Sequence, residues 1–278
     1  MKTYEKVLVV GLGEIGSAVY RLVSESKYKV FGYDIDPKKS VDSLSKIPKP
    51  VDVIHIAYPY SKDFIEVTVG YLQQFKPDLV IVESTVPVGT TEQVFLRYNA
   101  HVVHSPVRGK HPNIYEHLKF WVKWVGPTTQ ESGVRAKEYL ESLGLKVKVA
   151  NHSRDTELAK LWETVYRAVM IAAWQEIHRI SKKFNVKVES IAEFIAEVHQ
   201  VLKDRPVYFP GYIGGHCLIP NTEILNSISP SKLFEFVLES NKTRKQELED
   251  EATREEVEKL KKIFLELTNK EYYKGFEI

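Results

Sequence analysis

The chain has 278 residues, 43% hydrophobic and 27% charged, a composition that builds a sizeable core, excludes extended disorder and, at this length, favours two domains. Lys+Arg 39 against Asp+Glu 37 gives a formal charge of +2, too balanced to recruit nucleic acid or an anionic membrane by its field alone. One cysteine excludes an intramolecular disulfide, so Cys217 is either a small buried hydrophobe or a reactive thiol in a reducing compartment.

The first residues run straight into Val7-Leu8-Val9-Val10 rather than a signal-peptide core. No apolar run of roughly 18 residues follows, and the expected location is the cytoplasm. Short β-branched runs predict strands over Lys6–Val10, Lys29–Asp34, Val53–Ala57, Leu79–Glu83, His101–His104, Phe120–Val125 and Leu145–Val149. Between them, helical spacing predicts Ser17–Ser26, Lys62–Phe75, Thr90–Tyr98 and Gln130–Leu143. Strands alternating with crossover helices make an α/β fold, a Rossmann-type doubly wound parallel sheet, over residues 1–151.

Residues 152–278 are expected to form an all-α dimerisation domain. A long central helix runs from Ser153 to about Phe184, with Leu158, Leu161, Trp162, Val165, Val169, Ala172, Ala173 and Ile177 making an apolar surface that calls for a partner. A homodimer through the 153–184 helix follows. A second helix fits Val188–His199. Pro206, Pro210, Gly211, Gly214, Gly215 and Pro220 predict an irregular loop over Arg205–Asn221, and helices resume at Ser231–Asp250 and Thr253–Asn269.

Chemistry concentrates in four segments. Gly11-Leu12-Gly13-Glu14-Ile15-Gly16 lies between a strand and a helix, where backbone amides and the helix N-terminus hold a pyrophosphate. Twenty-three residues past Gly11, Asp34 ends the second strand and suits an adenosine ribose while repelling a 2′-phosphate, which favours NAD. Lys38 and Lys39 keep NADP as the alternative. Glu83-Ser84-Thr85-Val86-Pro87-Val88-Gly89-Thr90-Thr91 follows the fourth strand and either lines a nicotinamide pocket or starts a helix capped by Thr90 or Thr91. Further on, Lys160, Thr164 and Arg167 share one helix face, as a catalytic stripe or a solvated one. Finally, Gly214-Gly215-His216-Cys217 lets backbone approach a ligand and gives a thiol amide neighbours, as a nucleophile requires; an inert core thiol is the other reading. His101, His104 and His111 are scattered without a partnered carboxylate, so no metal is expected.

Taken in this order, the glycine fingerprint, Glu83-Ser84-Thr85-Val86-Pro87, Glu157-Leu158-Ala159-Lys160-Leu161 with Tyr166-Arg167-Ala168-Val169, and Gly214-Gly215-His216-Cys217 resemble the UDP-glucose/GDP-mannose dehydrogenase family over roughly Lys6 to Asn241. That family oxidises a sugar C6 alcohol to a carboxylate in two NAD-dependent hydride transfers, a cysteine trapping the aldehyde as a thiohemiacetal that becomes a thioester. The resemblance implies Cys217 as nucleophile, Lys160 as the group steadying the alkoxide or oxyanion, and Thr164 and Asn221 beside them. It implies a cofactor-binding set of Gly11, Gly13, Glu14, Ile15, Gly16, Asp34, Lys39, Pro59, Ser84 and Thr85, and a small-molecule substrate, a sugar nucleotide or hydroxyacid.

Departures qualify the expected chemistry. Where the family has a glutamate that helps hydrolyse the thioester, this chain has Val107; the family's asparagine is Thr164 and its aspartate Asn221. A two-electron product or a held aldehyde is therefore expected. The family also continues into a further α/β domain that grips the nucleotide, which a separate chain could supply. Two alternatives remain open: a two-electron 3-hydroxyacid-type dehydrogenase, whose substrate loop Ser105-Pro106-Val107-Arg108-Gly109 resembles, and a catalytically impaired NAD-binding subunit or sensor.

Overall fold

Aliphatic runs with no polar face become strands covered on both sides. In the computed structural model, which describes residues 4–110 and 112–268, these are β1 (Lys6–Val10), β2 (Lys29–Tyr33), β3 (Val53–Ile56), β4 (Leu79–Val82), β5 (His101–His104), β6 (Lys123–Pro127) and β7 (Val147–Val149). They form one sheet in the order β2-β1-β3-β4-β5-β6-β7. Neighbours from β2 to β5 pair parallel, β6 runs antiparallel to β5, and β7 is parallel to β6. The doubly wound expectation is borne out, with β6 as the exception to its parallel sense.

Side-chain alternation divides the core by face. Val7 and Val9 of β1 pack with α1 (Glu14–Ser24), α4 (Ile114–Phe120) and α5 (Gln130–Ser142), whereas Leu8 and Val10 pack with α2 (Phe64–Phe75) and α3 (Thr90–Arg97). The sheet order reverses direction at β1, between β2 and β3. In such sheets a ligand crevice opens beyond the carboxyl ends at that point.

The chain divides into two compact units, Met1–Lys160 and Leu161–Ile278. The sheet unit takes in the first two turns of α6 (Ser153–Lys183) because Thr156 and Glu157 there bond to β5 and α3. The second unit holds the rest of α6 with α7 (Val188–Leu202), α8 (Leu218–Ile228), α9 (Lys232–Glu247) and α10 (Glu251–Leu267). Trp174, Val188, Ala192, Ala196, Val207 and Leu260 make one of its cores, and Ala168, Ala172, Ile213 and Val237 another. Along α6 the expected apolar surface splits: Leu161, Val165 and Ala172 are buried, but Leu158 and Trp162 stay exposed, as do Tyr166 and Ile180.

Two sequence expectations need correction. Phe120 ends α4 rather than opening a strand, because Ile114, His117 and Leu118 bury one helical face and the strand starts only at Lys123. The irregular loop stops at Cys217, not Asn221. Pro220 sits in the first turn of α8, where its missing N–H has no intrahelical acceptor to lose. His111 and Asn269, the latter the expected end of the last helix, lie outside the described residues.

Among the described residues no helix is long and apolar enough to cross a membrane.

Candidate active site

The three glycines after β1 have three different physical reasons. Gly11 adopts φ +87°, a left-handed turn, and a Cβ there would meet the Tyr58 N at 2.7 Å. A Cβ on Gly16 would lie 1.6 Å from the Gly11 carbonyl oxygen, so this residue lets α1 pack against the turn. A Cβ on Gly13 would meet nothing within 4 Å. No packing explains that glycine; it leaves open the space in front of a helix start that no side chain caps. Beside it, Asp34 accepts bonds from the Leu12 amide at 2.6 Å and the Asp36 amide at 2.8 Å, which fixes the carboxylate next to the glycine turn. Ile15 is half-buried against the core, while Glu14 and Lys39 are exposed, Lys39 lying 3.9 Å from the Asp36 carboxylate.

The loops after β3 and β4 share this edge with the turn. Ser84, buried, donates its hydroxyl towards the Tyr58 carbonyl at 2.6 Å and the Ile56 carbonyl at 3.2 Å. The hydroxyl expected to face a cofactor therefore staples the two strand ends, and the Ser84 carbonyl is engaged as well, by His104. Thr85 is half-exposed and Pro59 exposed.

Neither Thr90 nor Thr91 caps α3; the N-cap is Gly89, and Glu157 reaches from α6 to accept from the Gly89 amide at 2.6 Å and the Thr91 amide at 2.8 Å. A carboxylate at a helix N-terminus satisfies orphan amides and the positive end of the dipole. Burial nevertheless raises the Glu157 carboxyl above its ordinary value, against those hydrogen bonds. Glu157 was visible only as part of a motif, and its task is to lock the start of α6 to this loop.

Beneath the loops lies a buried polar cluster that sequence reasoning missed. Lys123 donates to the Glu83 carboxylate and to the Ser105 carbonyl, His55 bridges Glu83 and the Tyr139 hydroxyl at 2.9 Å each, and His104 joins Thr156 at 2.8 Å to the Ser84 carbonyl at 3.1 Å. Burial works to raise the Glu83 carboxyl, but Lys123 and His55 outweigh it and hold the group below its ordinary range. The cluster ties together the backbone that carries Ser84, Thr85 and Ser105. A charged Lys123 between Val122 and Trp124 was the one sequence signal for it. Val107 is 2% exposed, packed in the hydrophobic core, so no carboxylate approaches from that position.

His104 sets an acid limit on stability. Burial foremost, with the nearby Lys123 charge, pushes it down to about 3 despite its bond to the Ser84 carbonyl. A folded value below the unfolded one means that its contribution is complete above about pH 6.5 and is lost as pH falls towards the folded value. The slope from this group reaches about 1.4 kcal/mol per pH unit. The urea midpoint is expected to fall from about pH 7.5 to about pH 5.5, and less steeply in His104→Gln; parallel curves for the two proteins would remove His104 as the cause.

In the second unit, Asn221 of α8 donates from Nδ2 to the Thr164 hydroxyl of α6 at 2.9 Å, both side chains being buried. The Asn221 amide also bonds the Cys217 carbonyl at 3.0 Å. Three of the expected catalytic residues are thereby brought together. Cys217 is exposed at the N-cap position of α8, which excludes the buried-hydrophobe reading; the start of a helix is where a thiolate is favoured. Lys160, half-buried, stands one turn before Thr164 on α6. Its charge contributes to lowering both His104 and Lys123. Among the described residues no group of three or more His, Cys, Asp or Glu side chains is arranged to hold a metal ion.

Residues 154–243 match the UDP-glucose/GDP-mannose dehydrogenase family, central domain, and the resemblance read from the motifs is borne out. A UDP-N-acetyl-D-mannosamine dehydrogenase of Methanocaldococcus jannaschii is 27% identical over 93% of this chain and 68% of its own length. Its counterpart from Pyrococcus horikoshii is 26% identical over 80% of the chain and 64% of its own length. The chain thus spans about two thirds of the length of the curated relatives it matches. The solved UDP-D-ManNAc dehydrogenase of Pyrococcus horikoshii superposes with a TM-score of 0.73 at 23% identity, over 85% of this chain and 68% of that one. The 3-hydroxyisobutyrate dehydrogenase of Mycobacterium tuberculosis has the same fold, with a TM-score of 0.65 at 16% identity over 93% and 99%.

Proposed function

We propose that this chain, a relative of the UDP-glucose/GDP-mannose dehydrogenases over residues 154–243, is an NAD-dependent oxidoreductase that oxidises an alcohol of a sugar nucleotide or similar carbohydrate. The observation that carries the proposal is the Gly13 opening at an uncapped helix start with the Asp34 carboxylate fixed beside it. The amides of the Gly11–Gly16 turn suit a pyrophosphate, Asp34 a ribose, and the backbone of Ser84 with Thr85 and Pro59 a nicotinamide. NAD, when bound, supplies the hydride acceptor.

Lys160 takes up the alcohol proton or steadies the alkoxide as the C–H bond is broken. In the second unit, Thr164 and Asn221 hold one another through their mutual hydrogen bond and fix the start of α8. Cys217 captures the aldehyde. With Val107 sealed in the core, the chain offers no carboxylate there to activate water, and the first, two-electron oxidation is the one it is equipped to complete. The same residue favours a second reading, a two-electron 3-hydroxyacid dehydrogenase, for which Cys217 is dispensable. A homodimer through α6 would cover the exposed Trp162, Tyr166 and Ile180.

Calorimetric titration with NAD and NADP tests the cofactor half of the proposal. NAD is expected to bind at least roughly tenfold more tightly, because the 2′-phosphate meets the Asp34 charge, and Asp34→Asn to narrow the gap. Binding of neither nucleotide would overturn it.

A further inference from the structure

The loop that delivers Cys217 has little regular structure of its own, yet two buried amide side chains hold its backbone. Asn241 of α9 accepts from the Ile213 amide on Oδ1 at 2.7 Å and donates from Nδ2 to the Ile213 carbonyl at 3.1 Å, so one side chain pairs with both polar groups of one residue, as a neighbouring strand would. Gln175 of α6 donates from Nε2 to the Gly211 carbonyl at 2.8 Å. These amides are themselves anchored. Ser240 donates to the Gln175 Oε1 at 2.7 Å, and Arg179 binds the Ser240 hydroxyl at 3.0 Å and its carbonyl at 2.9 Å. Gln175 is fully buried and Asn241 4% exposed, and a buried amide with its hydrogen bonds made has few alternative positions.

Beyond the held segment come Gly214 and Gly215, the latter at φ +77° with open space where a Cβ would be. Its glycine is required by the backbone turn, not by crowding. Cys217 follows at the start of α8, which Asn221 secures to Thr164. The glycine turn is thus suspended between two fixed points, Ile213 and α8.

We propose that Asn241, supported by Gln175, is a positioning residue that fixes the Gly214–Cys217 backbone and thereby sets the reactivity of the Cys217 thiol. The inference rests on the reading of Cys217 as the group that captures the aldehyde. Because the thiol is already exposed, access does not limit its reaction; its placement at the start of α8, where a helix N-terminus favours thiolate, does. Releasing Ile213 lets that placement average out.

The test is the rate of Cys217 alkylation by iodoacetamide across pH in the full chain, for wild type, Asn241→Ala and Gln175→Met. All are assayed at a temperature where circular dichroism matches wild type. Gln175→Met is the milder change, which frees Gly211 and leaves both bonds to Ile213. Asn241→Ala is expected to slow alkylation at neutral pH roughly tenfold and to move the pH profile up towards an ordinary thiol, near about 8.5. Gln175→Met should fall between, and hydrogen exchange of the Ile213 amide should quicken in Asn241→Ala. Alkylation within about twofold of wild type and an unmoved profile in both variants, or faster alkylation, would overturn the proposal. Should Asn241→Ala not fold, Gln175→Met alone decides by the same criterion. A wild-type chain that turns over no alcohol would sink the dehydrogenase reading, and the alkylation comparison would still decide the clamp.

Discussion

Gly13→Ala is expected to keep the fold and lose the cofactor, whereas Gly16→Ala should lose the fold first. At Gly13 the added methyl meets no protein atom within 4 Å, so stability should fall by no more than about 1 kcal/mol, the scale of placing Ala at a helix N-cap. The same methyl stands where the pyrophosphate must approach the backbone, and NAD affinity should drop by about tenfold to a hundredfold, about 1.4 to 3 kcal/mol. At Gly16 the methyl would sit 1.6 Å from the Gly11 carbonyl oxygen, and α1 must back away from β1 at a cost of about 3 kcal/mol. Calorimetry with NAD beside a urea titration separates the two; a Gly13→Ala protein that binds NAD as wild type does would remove the opening from the cofactor site.

The second large effect is expected from Lys160→Ala, which should lower the rate of NADH formation by about 10² to 10⁴, the range for loss of a positioned acid–base group. Cys217→Ser should behave differently. It should leave the first hydride transfer within about tenfold of wild type, since the proposed proton acceptor is Lys160, but release the aldehyde that the proposed thiol would capture. Rapid-mixing assays with a hydrazine trap read both quantities at once. Equal and complete loss in the two variants would show that thiol and amine act in the same step, against the division of labour proposed here.

Much of the sheet unit was legible because its signals are local. The turn from β1 into α1 needs glycine at Gly11 and Gly16, and the β-branched runs have no other use than a sheet covered on both faces. Asn221 was legible only through resemblance, since nothing in 57 residues of separation indicates that it bonds Thr164. Ser84 shows the opposite failure: its residue type suits a ligand contact, but its hydroxyl is consumed by the Ile56 and Tyr58 carbonyls. The tasks of Glu157, Lys123 and Asn241 were hidden for one shared reason. Each satisfies backbone groups far along the chain, so its role depends on tertiary contacts that composition and periodicity do not encode. Pro220 misled because a helix breaker is harmless in a first turn.

The central claim is oxidation of an alcohol with NAD as acceptor, and its most direct test is to count NADH formed per substrate consumed over a panel of UDP-, GDP- and free sugars together with small hydroxyacids. Turnover with a sugar nucleotide and one NADH per substrate is expected, with Lys160→Ala nearly silent. A chain that binds NAD yet forms no NADH from any alcohol in the panel would contradict it and favour a non-catalytic NAD-binding subunit. Two NADH per substrate with a free carboxylate as product would contradict the limit that Val107 is argued to impose.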